Sequence, residues 1–453
     1  MITKASSLAL QDKGFSLSLS HARKPIVQRM TRTTIMWIII LHLPIAYLIR
    51  QFTVFATAHA LLTLALGLYW ILKDRIPERV MYTCAYIVGS ETLWRAGKAA
   101  VFWEYGKYSI CLLLLLAMMK YKTARRLSFW PLLYFLLLVP SILALPEFDR
   151  DGISFNLSGP LTLAITAFFF NQRDLRKSTL KNLLVFMIAP LAGLSFVATF
   201  FIIQADTITF VQYSMKSTSA GFGPNQVASA LGLGALVAAY FAFIETGDKR
   251  LRQYMSTIAV WLLAQSFLTF SRGGVWTTLG ALFVLFLFSL SKSVTRRRIL
   301  RVSVTLAAFF ILFWPILNDF TGGVLEARFL STDPSKRDLI IKADWNAFLE
   351  HPGLGVGPGQ SSWYHRTIFR ESQPHTEYSR LLAEHGILGL LSMAVLFHVS
   401  ATRFLSRSSP EQRGFKVVFT TWAVLFMAHA AMRLAAPAFL FGLSGVRIVE
   451  NEG

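Results

Sequence analysis

DFTGGVLEARFLSTDPSKRDLIIKADWNAFLEHPGLGVGPGQSSWYHRTIFRESQPHTEYSRLLAEHG, from Asp319 to Gly386, is the long polar stretch of an otherwise greasy chain. It holds four of the nine histidines, His351, His365, His375 and His385, and a crowd of arginines. An apolar run resumes at Gly386. In such a chain, water-side chemistry belongs to the longest polar segment.

The surroundings of this stretch fix the class. Of 453 residues, 54% are hydrophobic, 14% aromatic and only 15% charged, and mean hydropathy is +0.51. A soluble domain carries about 25% charged residues. Apolar runs recur at 34–49, 52–72, 80–96, 108–119, 128–145, 154–170, 183–203, 223–243, 255–270, 273–291, 302–317, 382–400 and 416–432, with a last piece at 434–444 that extends the final span or re-enters. Their lengths suit a hydrocarbon core ~30 Å thick. The expectation is an all-α polytopic membrane bundle of 12 to 14 helices. It divides into a basic tail (1–33), an N-terminal bundle (34–317), a catalytic loop (318–380) and C-terminal helices (381–453). Cys84 and Cys111 lie in apolar runs and give neither a disulfide framework nor metal-ligand spacing.

Net charge is +21 and pI about 10.2. The charge sits in short loops between spans, so the positive-inside bias explains it and nucleic acid is excluded as the partner. The tail and the loops at 73–79, 120–127, 171–182, 246–254, 292–301 and 401–416 hold 29 Lys and Arg; the opposite side holds 15. The first set is expected in the cytoplasm. The tail has no apolar segment near its start, so no cleavable signal is expected. The 318–380 loop, Ser271–Gly274 and the loops at 146–153 and 204–222 then face outward.

Within the loop, Asp333 and Pro334 are start signals for a helix over about 334–350, which His351-Pro352-Gly353 stops. A second helix starts near Pro374, stops at Gly386, and sets His375, Tyr378 and Ser379 on one face. Arg337, in the first turn of the first helix, suits an anion such as a phosphate; a solvated residue paired with Asp333 or Asp338 is the competing reading. Arg272, in Ser271-Arg272-Gly273-Gly274, sits at the boundary between two spans with glycines that leave room for something to approach. The competing reading there is a snorkelling anchor. Gly353 to Gly359 is glycine-rich, but no strand precedes it and no P-loop lysine follows, so it is not read as a nucleotide loop. His375 titrates near neutral pH and can take a proton; a structural histidine is the alternative. Charges inside spans cost about 3 kcal/mol unless paired or useful. Glu91 and Arg95 share a helix face and can pair; His429 and Arg433 have the same spacing. Asn225 reads as helix–helix glue and Arg433 as a cavity residue.

Taken in order, Ser-Arg-Gly-Gly at 271–274, Lys-Arg-Asp at 336–338 with Trp345 eight residues past Arg337, Pro-Gly-Leu-Gly-Val-Gly-Pro-Gly at 352–359, His-Thr-Glu-Tyr at 375–378 and Glu-His-Gly-Ile-Leu-Gly-Leu at 384–390 resemble the O-antigen ligase and polymerase superfamily of bacterial membrane glycosyltransferases. The motifs cover about 270–390. The resemblance implies a GT-C-like bundle in the bacterial inner membrane, N-terminus in the cytoplasm and active loop in the periplasm. It also implies metal-independent, cofactor-free, inverting transfer of a glycan from an undecaprenyl-pyrophosphate donor. The acceptor would be a sugar hydroxyl on lipid A–core, for a ligase of lipopolysaccharide or surface polysaccharide biosynthesis. For a repeat-unit polymerase it would be a lipid-linked glycan. Arg272 and Arg337 would hold the pyrophosphate and His375 would activate the acceptor, with Asn225, Arg433, Tyr378 and Arg380 as secondary candidates. The rival class is a transporter or flippase for an anionic lipid, which would place substrate groups near mid-membrane.

The charge count yields a direct topological test. A cysteine at Ser362 should react with a membrane-impermeant reagent in intact spheroplasts, and one at Val294 should not. The reverse pattern would overturn the orientation.

Overall fold

The computed structural model describes residues 30–73, 76–121, 128–204, 208–245, 247–289, 304, 307, 311–333, 337–366 and 376–450. The chain is an all-α polytopic membrane protein. Its helices are α1 (Arg32–Gln51), α2 (Thr53–Lys73), α3 (Pro77–Ala96), α4 (Tyr105–Lys120), α5 (Trp130–Leu136), α6 (Arg150–Phe170), α7 (Lys177–Gln204), α8 (Pro224–Ile244), α9 (Lys249–Leu268) and α10 (Arg272–Ser289). Then come α11 (Ile311–Phe320), α12 (Val324–Leu330), α13 (Arg337–Glu350), α14 (Ser361–Arg366), α15 (Glu377–Phe404), α16 (Pro410–His429) and α17 (Ala436–Leu443). Six of them, α1, α2, α6, α7, α8 and α15, are long and apolar enough to cross a membrane by length and composition alone. The expected spans 80–96, 108–119, 255–270 and 416–432 are helices as well, α3, α4, α9 and α16.

Helices α7 and α8 are apolar all round and form the core, packed by α1, α3 and α9. Helices α1 and α2 turn Trp37, Leu41, Val54, Leu62 and Leu72 outward, as lipid contact requires. The 128–145 run does not make one span. It breaks into α5 and a 3₁₀ segment, Val139–Ala144, because Pro140 has no N–H for an α-helical bond.

Contacts at the helix ends sort them into two sets. At one end Arg32 meets Asp248, Lys181 meets Glu245 at 2.8 Å, and β1 (Asp174–Arg176) pairs in parallel with β2 (Arg447–Val449). Arg447 lies at this end too, on Asp174. At the other end lie the starts of α4, α6, α8, α10 and α15 and the ends of α3, α7, α9 and α16.

Two breaks depend on polar satisfaction. Between α16 and α17 the chain unwinds and turns back, so the last apolar piece re-enters: α17 packs on α6 and α16 and delivers β2 to the end where α16 began. Unwound backbone inside a membrane needs partners, and charged side chains supply them. Glu377 accepts from the Met432 N–H at 3.1 Å, Glu91 accepts from the Ala435 N–H at 2.7 Å, and the Lys107 ammonium donates to the Met432 carbonyl at 3.3 Å. Glu91 and Arg95 also pair at 2.7 Å, as their spacing predicts.

The second break is at Gly386, where α15 leaves helical geometry at φ 57°, ψ −137°. This is the stop expected of the short helix before the last apolar run. It frees backbone groups that the glycine-rich loop recaptures. Val356 N–H donates to the Ala383 carbonyl at 2.9 Å, Gly357 N–H to the Glu384 carbonyl at 3.1 Å, and Ile387 N–H to the Pro352 carbonyl at 2.8 Å. The loop is a backbone clamp. A Cβ on Gly386 would lie 2.6 Å from both the Pro352 and Gly353 oxygens. Gly386→Ala should therefore cost at least ~1–3 kcal/mol from the backbone alone, read as a lowered unfolding temperature in detergent; an unchanged temperature would refute the clamp.

Candidate active site

Helices α9 and α10 meet in a turn at Phe270, a buried residue held at φ 57°. A bulky side chain in the left-handed region is strained. Its neighbours hold it there: the ring stacks on Phe210 at 5.9 Å, and Arg328 Nε donates to its carbonyl at 3.2 Å. Ser271 Oγ then donates to Asn225 Oδ1 at 2.7 Å, tying the turn to the first turn of α8. Arg272 opens α10. Its Nη1 donates to the Ser331 carbonyl and its Nη2 to the Asp333 carbonyl, which wraps the chain after α12 around the guanidinium. Arg337 opens α13.

These elements enclose an open cavity of about 670 Å³, lined among others by Asn225, Arg272, Arg328, Arg337, Asp338 and His429. Burial, and next the Arg272 charge, lower the pKa of Arg337 below the usual guanidinium value. Burial likewise lowers that of Arg328, with Arg272 and Arg337 adding to the effect and Asp333 opposing it. Guanidinium groups stay protonated in proteins, so folding gathers three like charges against their preference. A lowered pKa on a base means that folding disfavours its charged form at every pH where that form exists. A bound anion would offset this.

The sequence predicted that Arg272 and Arg337 share a site, and the structure brings them to one cavity. Asn225 is glue, as read, and also lines the cavity. The glycines beside Arg272 allow close packing, and Gly273 also lines the cavity. A Cβ on Gly273 would lie 2.5 Å from His429 Nδ1, and one on Gly274 would lie 2.6 Å from the α8 backbone. His375 lies outside the described residues. Arg433 is not among the residues lining this cavity; it is buried near Arg380, Arg95 and Glu377. Tyr378 donates its hydroxyl to the Val424 carbonyl at 2.8 Å, joining α15 to α16. Arg380 is clamped by Glu377 at 2.5 Å and Glu384 at 2.7 Å. Arg328 and His429 were missed by sequence reasoning. Arg328 was hidden among the loop's arginines, and His429 was weighed only against Arg433.

The loop helix is fixed from behind. Fully buried Asp344 on α13 accepts from Ser379 Oγ at 2.5 Å and lies 2.7 Å from His365 Nε2 on α14. Thr376, adjacent to residue 375, caps α15 by accepting from Ser379 N–H at 3.0 Å. One carboxylate thus joins three helices and sets the start of α15 relative to Arg337. His385, by contrast, is a packing residue: its Nδ1 is 2.6 Å from Ser141 Oγ and 3.1 Å from the Leu138 carbonyl. His365→Ala should leave a buried carboxylate short of its partner, costing about 3–5 kcal/mol. The check is unfolding temperature together with protease cleavage between 337 and 366; wild-type behaviour in both would contradict this role.

No curated protein matches the chain. Residues 257–394 match the profile of the O-antigen ligase family. That matching stretch contains Arg272, Arg328 and Arg337, so all three of these cavity arginines lie where the chain is similar to the O-antigen ligase family.

Proposed function

We propose that the protein is a membrane glycosyltransferase of the O-antigen ligase kind, moving a glycan from an undecaprenyl-pyrophosphate donor to a sugar hydroxyl on lipid A–core. The observation that carries this reading is the convergence of Arg272, Arg328 and Arg337 on one cavity at the helix ends. A diphosphate leaving group gains negative charge as its bond to the anomeric carbon breaks. Fixed guanidinium groups stabilise that charge most where it is largest, in the transition state. Three of them supply what a divalent metal would otherwise supply, so transfer is metal-independent.

In the proposed step the acceptor oxygen attacks the anomeric carbon from the face opposite the diphosphate. The carbon–oxygen bond to the diphosphate breaks, and its electron pair leaves with the phosphate oxygen. The hydroxyl proton passes to His375, and configuration inverts. His375 is assigned through the His-Thr-Glu-Tyr motif; its neighbour Thr376 is held to α13 through Ser379 and Asp344. The N-terminus is cytoplasmic and the 318–380 loop periplasmic, in the inner membrane of a bacterium. A repeat-unit polymerase would use the same chemistry with a lipid-linked glycan as acceptor. A transporter is less well supported, because the charges buried in α3, α4 and α15 are bonded to the unwound segment after α16.

Purified protein given lipid-linked glycan and lipid A–core should produce the joined product; no product under any acceptor would refute the proposal. Arg272→Lys should lose ~10²–10³-fold, nearly as much as Arg272→Ala, because a point charge does not replace a planar fork. Near-full activity with Lys would make Arg272 an anchor.

The pH profile tests the base. The rate should fall as pH drops through the histidine pKa, since a protonated ring accepts no proton. His375→Ala should cost ~10²–10⁴-fold with donor binding kept. If His429→Ala removes transfer and His375→Ala does not, the histidine lining the cavity is the base.

A further inference from the structure

A second cavity, about 540 Å³, opens at the same end of the bundle, within the ~300–1,000 Å³ range of small-molecule sites. Its character is the opposite of the first. Phe102, Trp103 and Glu104 between α3 and α4, Asp149 and Asp151 at the start of α6, and Glu384 of α15 line it. Among the described residues, no arginine or lysine lines it. An anionic diphosphate would be repelled here.

The carboxylates are not equally committed. Glu384 is engaged by Ser361 at 2.8 Å and Arg380 at 2.7 Å, and Asp149 caps α6 by accepting from Gly152 N–H at 2.9 Å. Glu104 differs: it is only 7% exposed, and its Oε1 has no hydrogen-bond partner. A buried carboxylate oxygen without a donor is costly, and ionised carboxylates only accept. The missing ligand group is therefore a donor. Beside it stand aromatic surfaces, Trp103 at 42% and Phe102 at 57% exposure. Hydroxyl donors edge-on to carboxylates, with an apolar ring face against an aromatic, are the two halves of a sugar. A divalent cation fits less well, since no group of three ligating side chains is placed to hold one among the described residues.

Arg95 couples this cleft to the arginine cavity. Its Nη2 donates to the Trp103 carbonyl at 2.9 Å and its guanidinium lies 4.4 Å from the Trp103 ring centroid. Its Nη1 donates to Gln226 Oε1 at 2.7 Å, the residue after Asn225 of the other cavity.

We propose that this acidic, aromatic-walled cleft is a glycan subsite, binding sugar hydroxyls through Glu104 and Asp151 and a sugar face on Trp103 while the arginine cavity takes the diphosphate. This rests on the glycan-transfer reading for its ligand class. The acceptor sugar and the donor's own sugar share that chemistry.

The test uses full-length protein in nanodiscs and calorimetric titration with two probes from the organism that carries the protein. One is core oligosaccharide freed from lipid A by mild acid; the other is repeat-unit oligosaccharide freed from its carrier. At least one should bind, and inorganic pyrophosphate should not displace it. Glu104→Gln, Asp151→Asn and Trp103→Ala, each shown folded by thermal unfolding, should each weaken it at least about tenfold, roughly 1.4 kcal/mol. Binding of core oligosaccharide marks an acceptor subsite, and of repeat unit a donor subsite. The proposal is overturned if neither sugar binds, if the three variants bind as wild type, or if spermidine binds through Glu104 and Asp151 while the sugars do not. Transfer is scored separately: a wild type that binds sugar here but transfers none refutes the glycosyltransferase reading and keeps the cleft, whereas normal transfer with undiminished sugar binding in the variants refutes the cleft alone.

Discussion

Three guanidinium groups share one cavity, and much of the surrounding architecture serves to keep them there. Burial lowers the pKa values of Arg328 and Arg337, and repulsion between like charges in this half-buried space adds to it. Something rigid must resist that repulsion. Arg328 is spent on the carbonyl of strained Phe270, and Arg272 on the carbonyls of Ser331 and Asp333. Behind them, Asp344 pins the Arg337 helix to α14 and α15. Arg328 and Arg272 are anchored on backbone carbonyls, and the Arg337 helix is anchored through a distant carboxylate. These anchors give the three guanidinium groups fixed positions around the cavity.

The charges inside the bundle have a different task. Glu91, Lys107 and Glu377 bond to the unwound segment between α16 and α17. Glu91 also holds Arg95, and Arg95 reaches both Gln226 and Trp103. A break in the last helix hairpin therefore becomes the hub of a polar network beneath the two cavities. Membrane burial makes every such bond expensive to leave unmade, so the network also fixes where the cavities stand relative to each other. In this geometry the intramembrane charges act as scaffold.

How much of this was legible in the sequence follows from the range of each signal. Span positions were legible because apolar length is local. The stop at Gly386 was legible because a glycine between two apolar helices marks a break. The pairing of Glu91 with Arg95 needed only helical spacing. The meeting of Arg272 with Arg337 was legible through motif order. What failed depended on contacts distant in sequence. The glycine-rich loop at 353–359 gives no hint that it recaptures carbonyls freed near Gly386. Nothing local distinguishes Arg328, which reaches Phe270 from 58 residues away, from neighbouring arginines. Tyr378 and Arg380 looked available for a site, but their polar atoms are committed to Val424 and to Glu377 and Glu384. Glu104 is one acidic residue among many until its burial is seen.

The arginine cavity is proposed here as a diphosphate site. The most direct measurement is a ³¹P NMR titration of a short-chain prenyl diphosphate with full-length protein, in the presence of a chelator. The account predicts saturable binding that broadens both phosphorus resonances. It also predicts that binding is lost when Arg272, Arg328 and Arg337 are replaced together by glutamine in protein that still folds. Equal binding by that triple variant, or binding that appears only when Mg²⁺ is supplied, would contradict it.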